Sequence, residues 1–177
     1  MTAQAIHESG MTFGPYPAGQ CFPIEVSGIY RHIQEGVKMA EFVLLRQQSQ
    51  GPALWIVEAK SSSPHPETQP RFDEFINDIC HKFTNALILT VAARLLRHPD
   101  AENELPDSFK TLDLASLPFR LILVINGCQE RWLGPLNDAL SKAMKPIVKT
   151  WGQSKCSVIV LNDEMAQQHH LIQKSVK

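Results

Sequence analysis

The segment that most constrains the fold is residues 71–97, which contain neither proline nor glycine. Apolar side chains recur there at steps of three and four, the spacing of one helix face, at Phe72, Phe75, Ile76, Ile79, Phe83, Leu87 and Val91. The spacing predicts a long amphipathic helix. Shortly before it, residues 53–59 (ALWIVEA) form the apolar run typical of a strand buried on both faces. Together they predict a helix packed on a sheet.

The remaining elements extend this pattern. Strands are predicted at residues 24–33, 39–46, 118–126 and 156–161, and a second helix is predicted at residues 131–151. The acidic residues of 100–116 predict a solvated surface loop. The order β-β-β-α-β-α-β predicts an α/β fold with a mixed β-sheet, helices on both faces and right-handed crossovers. Glycines and prolines in residues 1–23 predict an irregular N-terminal arm, either a disordered tail or a strap across the core, so residues 24–177 would form the single domain.

Composition excludes several classes of protein. A chain of 177 residues with 44% hydrophobic and 20% charged residues is typical of one globular core and not of a disordered chain. No apolar run approaches the ~20 residues of a membrane span, and the N-terminus lacks the features of a signal peptide. The 4 cysteines (Cys21, Cys80, Cys128 and Cys156) have no CxxC spacing. We therefore expect reduced thiols and a cytoplasmic location, with no membrane partner.

The most informative residues are Glu41, Glu58 and Lys60. Glu58 and Lys60 are two positions apart at the end of a buried strand, so both emerge on one face. If this strand and the preceding one form a hairpin centred between Ser49 and Gln50, Glu41 lies directly opposite Glu58. Two opposed carboxylates destabilise a sheet unless a cation lies between them. Hard oxygen ligands suit Mg²⁺ or Mn²⁺, and the charge of Lys60 can orient a water or stabilise a phosphate oxyanion.

The arrangement Ala40-Glu41 followed by Glu58-Ala59-Lys60 resembles the PD-(D/E)XK nuclease superfamily, with its restriction-endonuclease-like fold. The resemblance implies that Glu41, Glu58 and the Ala59 carbonyl bind the metal and that Lys60 is the catalytic lysine. This family usually has an upstream helix that carries a further acid. Glu25 or Glu35 would supply that acid here, although no helix is predicted around them. The resemblance further implies Mg²⁺ or Mn²⁺ as cofactor.

Nucleic acid is the partner that this resemblance implies, with DNA as the first expectation and RNA left open. The net charge of −1 excludes a strongly basic binder, but basic residues outnumber acidic ones in residues 121–177. Lys142, Lys145 and Lys149 share one face of the second predicted helix and could contact phosphates. A solvated helix face is the alternative for these lysines. A homodimer or larger complex would suit cleavage of a duplex.

Three functions stay open at this point. The first is a metal-dependent nuclease that hydrolyses phosphodiester bonds. The second is a catalytically inactive domain of the same fold that serves as a binding or assembly module, which the near-neutral charge favours. The third is an unrelated α/β protein in which Glu41, Glu58 and Lys60 form a structural salt-bridge cluster. Lys82 on the long helix and His65 in the loop after Lys60 are secondary candidates, and the three tryptophans are interpreted as core residues.

Overall fold

The computed structural model describes residues 5–154 and 157–173. Its main feature is a mixed five-stranded sheet in the order β3-β4-β5-β6-β7, with β3 (Cys21–Phe22), β4 (Phe42–Gln48), β5 (Gly51–Lys60), β6 (Phe119–Ile125) and β7 (Val158–Asn162). The pairs β3–β4 and β4–β5 are antiparallel, whereas β5–β6 and β6–β7 are parallel. The predicted α/β class and mixed sheet are confirmed. The predicted start of the last strand, Cys156, lies outside the described residues.

Two long helices cover one face of this sheet. Helix α2 (Arg71–Arg94) connects β5 to β6, and α5 (Glu130–Thr150) connects β6 to β7. Their apolar stripes share one core with alternate residues of the strands, including Ile79 and Phe83 of α2 and Leu136 and Leu140 of α5. Helices are predicted on both faces, but both long helices lie on this one, and within the described residues the other face carries only a short helix near residue 166. Because the strand order advances steadily from β5 to β7, two helices on one face give both crossovers the same hand.

The opposite face is covered by residues 6–16 and 163–172. The strands β1 (Ile6–Glu8) and β2 (Met11–Phe13) form a hairpin, and the helix α6 (Asp163–Gln168) packs beside it. Phe13 bridges Ile172 in antiparallel fashion, and the Tyr16 hydroxyl donates to the Leu171 carbonyl at 2.9 Å. The irregular arm predicted for residues 1–23 is therefore corrected for residues 6–22. Its apolar side chains, Phe13 above all, bury themselves on the sheet despite the surrounding glycines and prolines.

Two further predictions are wrong. Residues 24–33 do not form a strand but a 3₁₀ turn (Ile24–Val26) and the short helix α1 (Gly28–Arg31), because the Ser27 hydroxyl accepts the Tyr30 N–H as an N-cap. Residues 100–116 are not a solvated loop. They contain α3 (Ala101–Glu104) and α4 (Asp107–Lys110), whose buried side chains Ala101, Leu105 and Phe109 recur every four residues and join the core.

No described helix is both long enough and apolar enough to pass through a lipid bilayer.

Candidate active site: an acid–lysine cluster

The β4–β5 hairpin confirms the predicted register. Phe42 pairs with Val57 and Gln48 with Gly51, so the two-residue turn is Ser49-Gln50 and the same register carried one step further places Glu41 opposite Glu58. Glu41 lies just before β4 begins, and its N–H donates to the Val57 carbonyl at 3.1 Å. Alternation along β5 places Glu58 and Lys60 on the face that carries α2. Glu41, Glu58 and Lys60 thus lie together on the helix-covered face, at the carboxyl end of β5.

Glu25 and Lys82 complete this group. We call the five residues Glu25, Glu41, Glu58, Lys60 and Lys82 the acid–lysine cluster. Glu25 comes from the 3₁₀ turn, where its N–H donates to the Glu41 carbonyl at 3.4 Å. Lys82 comes from α2, three residues after the buried Ile79. Of the two further acids predicted, Glu25 is therefore the one at the cluster, while Glu35 is exposed on the preceding turn and has no described contact with it.

Lys82 lies between the two opposed carboxylates. Its Nζ is 2.8 Å from Glu58 Oε1 and 3.9 Å from Glu41 Oε1, so those two oxygens are separated by no more than these two distances combined. Lys60 Nζ contacts the same Glu58 oxygen at 2.9 Å. The other oxygen, Glu58 Oε2, is buried and has no hydrogen-bond partner within the described parts of the chain. The fully buried Glu58 carboxylate is thus neutralised through Oε1 by two ammonium groups, while Oε2 is enclosed without a hydrogen-bond partner among the described residues.

The pKa values of the cluster follow from its burial and crowding. Burial raises the pKa of Glu41 to about 9, with help from a side-chain hydrogen bond with Glu25 and the charge of Glu58. Burial also raises the pKa of Glu58, although Lys82 and Lys60 oppose the shift. Burial alone would lower the pKa of Lys82, but the charge of Glu58 outweighs it and the net shift is upward. At neutral pH, Glu41 is therefore protonated and Lys82 stays an ammonium ion.

The cluster opens to solvent through a cleft of about 400 Å³. Glu25, Lys38, Asp78 and Lys82 are among the side chains that line it. Lys38 and Asp78 form an ion pair at 2.5 Å, and Lys60 Nζ is 3.9 Å from the other Asp78 oxygen. Burial would raise the pKa of Asp78, but the hydrogen bond and charge of Lys38 lower it overall. The charged side chains that line the cleft are therefore two acids and two lysines.

The donor set suits a divalent cation, although the cluster is not arranged as a finished coordination sphere. The buried, unpartnered Glu58 Oε2 and the raised pKa of Glu41 are what carboxylates show when a neutralising cation would improve their environment. Within residues 5–154 and 157–173, no three acidic, histidine or cysteine side chains have the mutual spacing of metal ligands. Lys82 already contacts both opposed carboxylates, so a metal would have to displace its ammonium group. The predicted carbonyl ligand, Ala59, has its side chain in the opposite core.

The predicted lysine stripe is not part of this site. Lys142, Lys145 and Lys149 are exposed on α5, which begins near the edge where Lys60 emerges and runs toward the opposite edge. At 1.5 Å per residue, the stripe begins about 18 Å along the helix from its start. A nucleic acid that touched both the stripe and the cluster would have to run along the helical face.

Sequence reasoning undervalued two residues near the cluster. Lys82 was only a secondary candidate because its neighbours Ile79 and Phe83 face the core, yet a helix residue beside a core stripe can still reach a strand end. Glu8, in the β1–β2 hairpin, contributes a further negative charge that raises the pKa of Glu41. No sequence signal pointed to Glu8, since its proximity depends on how the hairpin covers the sheet.

This chain matches no protein-family model, and no curated protein and no solved structure matches it.

Proposed function

We propose that the protein is a metal-dependent nuclease that hydrolyses phosphodiester bonds of DNA or RNA at the acid–lysine cluster. The observation that supports this best is the position of Glu58: a fully buried carboxylate opposite Glu41, with Lys60 on the same face and one oxygen without a partner. Carboxylates are almost never fully buried unless they are paired, and buried charged groups with perturbed pKa values cluster at functional sites.

Each side chain has a role in this proposal. Glu41, Glu58 and Glu25 would hold the divalent ion, which when bound would supply Lewis-acid polarisation of the phosphoryl oxygens. Lys60, a quarter exposed at the end of β5, would contact the scissile phosphate and stabilise the charge that develops on it. Lys82 would neutralise Glu58 in the free protein and release it when the ion binds. Asp78 would hold Lys60 near the cleft through their contact at 3.9 Å.

A second candidate is a catalytically inactive module of the same architecture, and one specific observation favours it. Lys82 and Lys60 already neutralise Glu58 at 2.8 and 2.9 Å, as they would in a purely structural ion-pair network. Breaking a buried pair is costly, so such a network can persist without any catalytic role.

The test is a cleavage assay on single-stranded DNA, linear duplex DNA and RNA with Mg²⁺ or Mn²⁺. We compare the wild type with Lys60→Met and Glu58→Gln, and with Lys110→Met as the control, because Lys110 pairs with Asp107 outside the cluster. We expect the wild type and the control to cleave, EDTA to abolish cleavage, and both cluster variants to lose at least about 100-fold in rate. Cleavage that survives in Lys60→Met and Glu58→Gln would refute the assignment. A wild type that is folded, binds Mn²⁺ and cleaves nothing would favour the inactive module.

A further inference from the structure

A second cleft opens beyond the carboxyl ends of β5 and β6, at the same end of the sheet as the acid–lysine cluster. It has a volume of about 280 Å³ and is lined by His65, Pro66, Glu67, Arg131, Trp132 and Pro135, and we call it the His65 cleft. One wall is the loop that follows β5, and the other is the first turns of α5. The two parallel strands that lead into these walls end side by side, since Lys60 is opposite Ile125 and the Asn126 N–H donates to the Lys60 carbonyl at 2.9 Å.

The cleft therefore lies within reach of the cluster. His65 follows Lys60 by five residues, which span at most about 18 Å even when fully extended. A nucleic-acid strand with one phosphate at Lys60 would pass the His65 cleft within a few nucleotides.

Aromatic and cationic groups are held together in this cleft. The rings of His65 and Trp132 meet edge to face, with centroids 4.9 Å apart and planes at 77°. Arg131 Cζ lies 5.9 Å from the centroid of the Trp132 ring. Trp132 is only partly buried and packs on the core beneath the cleft, so its ring is both anchored and accessible. Trp132 is thus not the simple core residue that the sequence predicted.

The charges define what the cleft can bind. The Arg131 Nε–H donates to Gln129 Oε1 at 2.8 Å, which fixes the guanidinium plane, and the terminal nitrogens carry the donors that suit a phosphate. The Glu67 carboxylate lines the same cleft and would repel a bare anion, but it can accept from an amino group. A ligand that suits this cleft therefore needs a phosphate for Arg131, a hydrogen-bond donor for Glu67 and a ring for the aromatic pair.

We propose that the His65 cleft binds one unpaired nucleotide of a nucleic-acid strand, with the base against His65 and Trp132 and its phosphate on Arg131. The volume holds one ring system with its sugar and excludes a base pair. In a duplex, each base is covered by its neighbours, whereas stacking on protein aromatics needs an exposed base face. The substrate class is therefore single-stranded nucleic acid or a duplex with an unpaired end. The nature of the ligand rests on the proposed function, although binding at this cleft does not require catalysis.

The experiment measures binding in EDTA, where no cleavage occurs, by fluorescence anisotropy of a short labelled oligonucleotide. The DNA strand, its RNA equivalent and the annealed DNA duplex are the three probes. The variants are Arg131→Ala and His65→Ala. The control is Arg97→Ala, which removes the same charge from an exposed position after the C-terminal end of α2. All three replaced side chains are exposed, so the fold should persist, and circular dichroism verifies this.

We expect one of the single strands to bind at least about tenfold more tightly than the duplex. Arg131→Ala should weaken that binding about tenfold and His65→Ala about fivefold, the range found for lost stacking and phosphate contacts, while Arg97→Ala leaves it unchanged. Equal affinity for duplex and single strand, equal effects of Arg131→Ala and Arg97→Ala, or no binding by any probe would each overturn the assignment.

The result separates this inference from the proposed function. Binding that depends on Arg131 in a protein that never cleaves would retain the nucleotide cleft and exclude the nuclease. Metal-dependent cleavage that needs Lys60 but is unchanged by Arg131→Ala would retain the nuclease and exclude the nucleotide cleft.

Discussion

Replacement of Glu41 by glutamine should remove much of the pH dependence of stability. The pKa of Glu41 is raised from its ordinary 4.5 to about 9 in the folded protein, first by burial and then by Glu25 and Glu58. Between those two values, the folded state keeps a proton that the unfolded chain releases. The contribution to stability is therefore fully present below pH 4.5 and is lost as the pH rises toward 9. Glu41→Gln keeps the group uncharged at every pH, and its amide can still donate to Glu25.

The magnitude follows from the linkage. One proton difference changes the free energy of unfolding by about 1.4 kcal/mol per pH unit, so the wild type would lose at most about 2.7 kcal/mol between pH 6 and pH 8 relative to Glu41→Gln. Water that reaches the cleft and small relaxations reduce this, and we expect roughly 1–2 kcal/mol.

The assay is urea unfolding of both proteins at pH 6, 7 and 8. The matched control is Glu35→Gln, which removes an acid from the exposed turn before β4. We expect the control to follow the wild type in parallel and Glu41→Gln to diverge upward from it as the pH rises. Parallel profiles for Glu41→Gln and the wild type would mean that Glu41 is ionised in the folded protein, and the argument for a crowded carboxylate pair would fail.

Two further variants test the packing that holds the cluster together. Lys82→Met should lower the free energy of unfolding by about 3 kcal/mol at pH 7 because it removes the 2.8 Å partner of the buried Glu58. The control, Lys38→Met, breaks a more exposed ion pair and should cost less than about 1 kcal/mol. Similar small losses for both variants in urea unfolding would contradict this. Ile79→Ala should cost about 2–5 kcal/mol because Ile79 is fully buried between α2 and the sheet. The exposed Ile88 is its control on the same helix, so Ile88→Ala should stay within about 0.5 kcal/mol, and equal losses would show that α2 does not pack as described.

Residues 39–60 could be predicted well because local rules decide them. A polar loop between two apolar runs fixes the hairpin centre, and once the centre is known the strand period of two decides which side chains share a face. That reasoning needed no information on the rest of the fold, and the register confirms it. The long helix α2 was equally accessible because its apolar period extends over about five turns, from Phe72 to Val91.

The errors arose where distant parts of the chain decide the structure. The β-branched residues of 24–33 predict a strand, but Ser27 caps a helix there and Ile24 and Ile29 reach the core. In residues 100–116, the acids conceal a four-residue apolar period that only burial reveals. Residues 6–13 form a hairpin because the sheet offers an apolar face to cover, and a short segment cannot signal that alone.

The position of Lys82 could not be predicted from local sequence either, and it decides whether the site can bind a metal. The phase of α2 on the sheet determines whether a lysine beside the core stripe reaches Glu58, and packing of the whole domain sets that phase. Once there, Lys82 contacts both carboxylates that a metal would bind, at 2.8 and 3.9 Å. A divalent ion must therefore compete with an ammonium group that the chain itself supplies. Binding of the ion is favoured only if the ion also contacts the buried Glu58 Oε2 and displaces the proton of Glu41. Metal binding at this site should thus release protons and strengthen as the pH rises, a dependence that a purely structural salt-bridge cluster would not show.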